Sequence, residues 1–126
     1  MRRIATILVA VLAALVVVGV VVQVYLIASY IFGAADALDA HRSVGWMVHL
    51  AELLALVAAL VAFWRRWPLV LRVLALPVIG TIQIAFSGGD RWVGGIHGML
   101  ALAVIGIAAH VVMAAVRELR RAPGLA

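Results

Sequence analysis

The stretch IATILVAVLAALVVVGVVV at residues 4–22 contains no charged side chain, and it decides the class of protein. An apolar run of about 20 residues is long enough to cross the hydrocarbon of a bilayer as a helix. The run continues to about residue 32, roughly twice the length of the apolar part of a signal peptide, so we expect a retained span. The whole chain of 126 residues is 68% hydrophobic, which is too apolar for the surface of a soluble domain.

Three further apolar segments follow the first one. The predicted spans cover about residues 4–32, 40–64, 68–86 and 95–116. Short connections make consecutive helices antiparallel neighbours. The sequence therefore predicts an all-α membrane protein, in which residues 1–126 form a single four-transmembrane-helix up-down-up-down bundle.

The positive charges of the chain indicate its orientation. All 10 basic residues are arginines, and they lie at span ends, where they suit lipid headgroups and not nucleic acid. Because cytoplasmic segments are enriched in arginine, we expect both termini in the cytoplasm and a multi-pass protein of the bacterial cytoplasmic (inner) membrane. The arginines expected on the cytoplasmic side are Arg2, Arg3, Arg65, Arg66, Arg72, Arg117, Arg120 and Arg121.

Two histidines lie close to the beginning of the second and fourth spans. His41 and His97 both fall on the predicted outer side, at similar depth. Helices two and four of an up-down bundle lie across a diagonal, where two imidazoles can bind opposite faces of a haem iron. A single histidine at such a depth would be an ordinary interfacial residue. The matched pair predicts iron ligation by His41 and His97.

The surroundings of the two histidines favour the same interpretation. Gly45, Val48, Glu52 and Ala59 share the helix face of His41, and Ala101, Val104, Ala108 and Ala115 share that of His97. Small residues such as Gly45 would leave space for a flat macrocycle, although they also let membrane helices pack closely. At the outer rim, Arg42 and Arg91 suit the propionates of a haem.

A second group of polar residues lies deeper in the spans. His49 and Glu52 are neighbours on one helix surface, about 12 and 17 Å below His41 along the helix, and His110 lies about 20 Å below His97. His110 points about 140° away from His97, so both cannot face the bundle axis. Four interpretations of this group stay open. It could be structural, or it could form a proton path or quinone site using Glu52 and Gln23. It could also hold a second haem between His49 and His110, or form a His₂Glu site for a metal such as zinc.

The order of these features resembles one half of haem A synthase and, more loosely, four-helix cytochromes of the b561 type. The likeness rests on Asp39-Ala-His41-Arg42 with Gly45, on Gln83, and on Ile96-His97-Gly98. It implies haem ligation by His41 and His97. Ala37 stands where that synthase has a glutamate, so the resemblance does not extend to its haem-oxidising chemistry. The chain also resembles small, uncharacterised four-helix membrane proteins of high-GC bacteria.

The sequence thus predicts a b-type cytochrome-like protein for one-electron transfer that binds one haem b. A second haem is the alternative already given for His49 and His110. A membrane quinone or a redox partner protein would exchange electrons with it, and a homo-oligomer is compatible with the sequence. One alternative is a non-catalytic subunit, assembly partner or small transporter without cofactor. Another is a quinone-reactive oxidoreductase such as a superoxide oxidase; no residue is assigned a catalytic role.

Overall fold

Four long helices make up a computed structural model of the protein, which describes residues 1–88 and 91–121. They are α1 (Arg2–Ile31), α2 (Ala37–Ala62), α3 (Trp67–Phe86) and α4 (Arg91–Arg121). All four are long and apolar enough to cross a membrane. The all-helical prediction is confirmed, and α4 extends beyond its predicted span at both ends. Only about 20 residues of a helix are needed to cross the hydrocarbon, so both ends of α4 can continue past the predicted span.

The helices pack as a square. Within the described residues, α1 contacts α2 and α4, and α3 contacts the same two helices. The pairs α1–α3 and α2–α4 therefore lie on the diagonals, as the predicted bundle requires. We call the end at which α2 and α4 begin the histidine end, and the opposite end, which carries most of the arginines, the arginine end.

The centre of the bundle is filled by small and β-branched side chains. Val16, Ala55, Leu76 and Ala108, one from each helix, have no exposed surface. Large apolar side chains instead cover the outside, including Leu15 and Val57. A water-soluble bundle has polar outer faces, whereas helices that are apolar all round belong in lipid or in a larger core. The tryptophans Trp46, Trp64, Trp67 and Trp92 are exposed, as interfacial anchors are.

Two polar contacts hold the arginine end together. Arg66, in the connection between α2 and α3, donates hydrogen bonds to both carboxylate oxygens of Glu118 on α4. The same carboxylate lies 3.6 Å from the guanidinium of Arg121. This ion-pair group fixes the α2–α3 connection to the last turns of α4.

Helix α1 packs closely against α2 at Gly19. A methyl group at this position would overlap the Cγ2 atom of Val48, which is itself buried. A methyl group at Gly106 of α4 would meet open space. Small residues at helix contacts allow such packing in membranes, where no hydrophobic effect drives helices together.

These two glycines give a matched test of the packing. Gly106→Ala should stabilise the bundle by about 0.5–1 kcal/mol, because alanine loses less backbone entropy in a helix. Gly19→Ala should instead destabilise it by about 1–3 kcal/mol through overpacking against Val48. Thermal unfolding in detergent would show the two changes of opposite sign; equal effects would contradict the close contact of α1 with α2.

Candidate functional site: two facing histidines

His41 and His97 meet at the histidine end of the bundle. Their ring centroids lie 6.2 Å apart, with an angle of 62° between the ring planes. The two side chains come from α2 and α4, whose backbones do not contact each other. The imidazoles therefore bridge the diagonal across the interior, which is the arrangement that the sequence pattern led us to expect.

Each of the two imidazoles is held by a backbone carbonyl of the preceding helix. Nδ1 of His41 lies 3.0 Å from the carbonyl oxygen of Gln23 on α1, and Nδ1 of His97 lies 2.9 Å from that of Gln83 on α3. A carbonyl oxygen can only accept a hydrogen bond, so Nδ1 must carry the proton in both rings. In the neutral imidazole, Nε2 is then left with a free lone pair.

The carbonyl of Gln83 is available because it lies in the last turn of α3. The final four carbonyls of a helix lack a partner within the helix, and the amide of Ser87, four residues further on, donates to Ile84 instead. Gln23 lies in the interior of α1, where the second lone pair of its carbonyl oxygen can accept from His41. Both anchors thus arise from ordinary backbone groups of the neighbouring helix.

The spacing of the two rings suits a metal ion between them. Imidazole nitrogens bind first-row metals at about 2.0–2.1 Å, which places two opposed ring centroids roughly 6.4 Å apart. The observed separation is 6.2 Å. Histidines that bind metals characteristically donate their other ring nitrogen to a carboxylate, a backbone carbonyl or water. His41 and His97 would therefore be the residues to hold a haem iron, each through Nε2.

A cavity runs from this pair into the bundle. All four helices line it, with Gln23 from α1, Gly45 from α2, Ile84 from α3 and Val104 from α4 among the contributors. The volume of this cavity is about 110 Å³. The space that we expected beside Gly45 holds the side chain of Gln23, because a methyl group there would lie 2.9 Å from Nε2 of that amide.

The rim residues have partners of their own. Arg42 lines the cavity and donates a hydrogen bond of 3.2 Å to Asp39, and both side chains are exposed. The side chain of Arg91 lies outside the part of the chain that the structure describes. Gln83 lines the cavity, and its contact with His97 is made by the backbone.

Glu52 and His49 form a pair at the deep part of the same cavity. Nδ1 of His49 lies 2.9 Å from Oε2 of Glu52, and only 2% of the Glu52 side chain is exposed. The carboxyl group occupies a notch at Gly80 of α3, where a methyl group would overlap Oε2 and approach Nδ1 of His49 to 2.9 Å. The pair therefore depends on the absence of a side chain at position 80.

The structure does not bring His110 to this pair. His110 is exposed on α4, where Nε2 lies 3.4 Å from the guanidinium of Arg72 on α3. Among the described residues, no three histidine, cysteine, aspartate or glutamate side chains are grouped so that they could hold a metal ion. His49, Glu52 and His110 are therefore not gathered into one ligand set.

Sequence reasoning missed two parts of the site, namely the backbone anchors and the notch at Gly80. No residue type marks a carbonyl that will accept from a distant histidine. Gly80 gave a weak signal, because glycine inside a helix has a cost that a close contact can explain.

Comparisons with protein-family models, with curated proteins and with solved structures found no match to this chain.

The buried pair gives a test of its energetic role. His49→Leu should destabilise the protein by about 1–3 kcal/mol, because Glu52 would keep its burial and lose its partner. The double variant His49→Leu, Glu52→Met should recover most of that loss, since replacing both partners with apolar groups is often nearly neutral. Thermal unfolding of the two variants in detergent measures this; a double variant no more stable than His49→Leu would contradict it.

Proposed function

We propose that the protein binds one b-type haem between His41 and His97 and carries single electrons. The observation on which this proposal depends is the pair of imidazoles with ring centroids 6.2 Å apart. In each ring Nδ1 is bound to a backbone carbonyl, and Nε2 has no hydrogen-bond partner among the described residues. The resemblance of the His41-Arg42 and His97-Gly98 segments to one half of haem A synthase supports the same proposal.

When bound, the haem would supply a one-electron couple, and His41 and His97 would hold its iron. The protein's own groups have three tasks. The carbonyls of Gln23 and Gln83 fix the tautomer and direction of the rings. The apolar helix walls exclude water, and Arg42 at the rim offers a guanidinium to a propionate, in competition with Asp39.

The two facing histidines favour electron transfer over the two alternative functions. A non-catalytic subunit or transporter has no need for two histidines of fixed tautomer facing each other. A quinone-reactive oxidoreductase, such as a superoxide oxidase, would need a reactive position for its substrate in addition to the haem. We therefore propose a membrane quinone or a redox partner protein as the source or acceptor of the electrons.

We also propose an orientation in the bacterial cytoplasmic membrane. The arginine end, with both termini, would face the cytoplasm and the histidine end the outer side, because arginine is enriched in cytoplasmic segments. Haem would then lie near the outer surface, accessible to an outer partner.

The absorption spectrum of the purified protein tests haem binding. Protein produced with ample haem should show a Soret band whose position changes on reduction with dithionite, with one iron for each chain. His41→Ala and His97→Ala should each lose the six-coordinate spectrum, because the iron would lose one of its two axial ligands.

His110→Ala is the matched control for these variants. It removes a histidine from α4 that is exposed and does not reach the cavity, so its spectrum should equal that of the wild type. A colourless wild-type protein, or spectra of His41→Ala and His97→Ala that match the wild type, would overturn the proposal. A colourless protein would favour the subunit or transporter alternative.

The orientation can be tested cleanly because the chain contains no cysteine. Ala34→Cys places a thiol in the α1–α2 connection at the histidine end, and Arg120→Cys places one at the arginine end; both positions are exposed. In intact cells, a membrane-impermeant maleimide should label Ala34→Cys alone. It should label Arg120→Cys only after the membrane is opened, and the reverse pattern would refute the orientation.

A further inference from the structure

The buried pair of Glu52 and His49 has no part in holding a haem, yet it lines the same cavity as His41 and His97. We propose that this pair takes up one proton from water when one electron enters the site between His41 and His97. The inference rests on the proposed haem binding and adds to it a coupling between electron and proton. The electron comes from a one-electron donor and the proton from water, which is left as hydroxide; nothing else is consumed.

The first support is distance. Glu52 packs into the notch at Gly80, while the carbonyl that anchors His97 belongs to Gln83. These two positions on α3 are three residues apart, a rise of about 4.5 Å along the helix. Along α3, the notch that holds Glu52 therefore lies about one helical turn from the anchor of His97.

The second support is burial. The Glu52 side chain is 2% exposed and that of His49 14%, so neither group is screened by bulk water as a surface ion pair is. The hydrogen bond between them can be made by a carboxylate with a neutral imidazole that is protonated on Nδ1. With one more proton, it can be made by a carboxylate with an imidazolium or by a neutral acid with a neutral imidazole. An added negative charge nearby favours the state with one more proton.

The third support is the set of neighbours. Among the described residues, the titratable or charged ones that line the cavity are on α2 and α4, namely His41, Arg42, His49, Glu52 and His97. Helix α1 contributes the amide of Gln23, and α3 with the residue after it contributes Gly80, Gln83, Ile84 and Ser87, none of which titrates. His41 and His97 have their Nδ1 protons held by carbonyls, and Arg42 stays charged. Glu52 and His49 are thus the lining groups able to exchange a proton.

The fourth support is access for the proton. The cavity is open, and its lining continues from Arg42 and Ser87, near the histidine end, down to Glu52. The same lining includes His49, which is 14% exposed and is hydrogen-bonded to Glu52, so a proton from the rim can reach the pair through His49. A pair that served packing alone would need no connection to the surface.

The expected coupling follows from electrostatics. For two unit charges roughly 10 Å apart at an effective dielectric constant near 20, each charge changes the equilibrium constant of the other site, for protonation or for reduction, by about tenfold. For one electron, a tenfold change corresponds to about 59 mV. The midpoint potential of the wild-type protein should therefore fall by about 60 mV as the pH rises through the titration of the pair.

Redox titration of the haem absorbance across a pH series tests the inference. Glu52→Gln keeps the size and hydrogen bonding of the side chain and removes its proton exchange, so its midpoint potential should lose this dependence. His49→Gln retains the carboxyl group and provides a second variant if Glu52→Gln is poorly folded. The redox-difference infrared spectrum of the wild type should also contain a carboxyl band that is missing from Glu52→Gln.

The outcomes separate the inference from the proposed function. A protein without a Soret band would overturn both. A haem protein in which wild type and Glu52→Gln have equal pH dependence, and which shows no Glu52 carboxyl band, would overturn the inference alone. A pH dependence lost in Glu52→Gln but kept in His110→Ala would establish it.

Discussion

A polar group inside four apolar helices must find its hydrogen-bond partner within the protein, because lipid offers none. The described residues obey this constraint in full, and none of their buried side-chain nitrogen or oxygen atoms lacks a partner. The consequence is specific geometry. His41 and His97 reach the carbonyls of α1 and α3, and Glu52 reaches His49. Each of these bonds fixes either a contact between two helices or the direction of a ring.

The same constraint explains the glycines of the contact regions. A buried carboxyl group needs a partner and also needs space, and Gly80 provides the space on α3. Gly19 lets α1 approach α2 closely, a few residues from Gln23, whose carbonyl anchors His41. Close helix contact and imidazole direction are therefore linked, because the anchor can reach the ring only if α1 lies near α2.

Much of this arrangement could be predicted from periodicity. Helices two and four were expected on a diagonal, and most of the residues expected on the faces of His41 and His97 are buried, among them Val48, Ala59, Val104 and Ala115. The angle of His110 placed it off the axis, and it is exposed. Periodicity contains no information about the relative height of two helices, however. For that reason the contact of Glu52 with Gly80, and its closeness to the anchor of His97, could not be predicted.

The two kinds of histidine in the cavity are suited to different chemistry. A metal ligand must present one nitrogen in one tautomer, and a backbone carbonyl secures this because it can never donate. A proton carrier needs the opposite property, which is a partner that can accept or donate as its charge changes. A carboxyl group has both states. His41 and His97 have carbonyl partners and His49 has a carboxyl partner, so the partners, more than the imidazoles themselves, distinguish the part of the cavity that we propose binds metal from the part that we propose binds a proton.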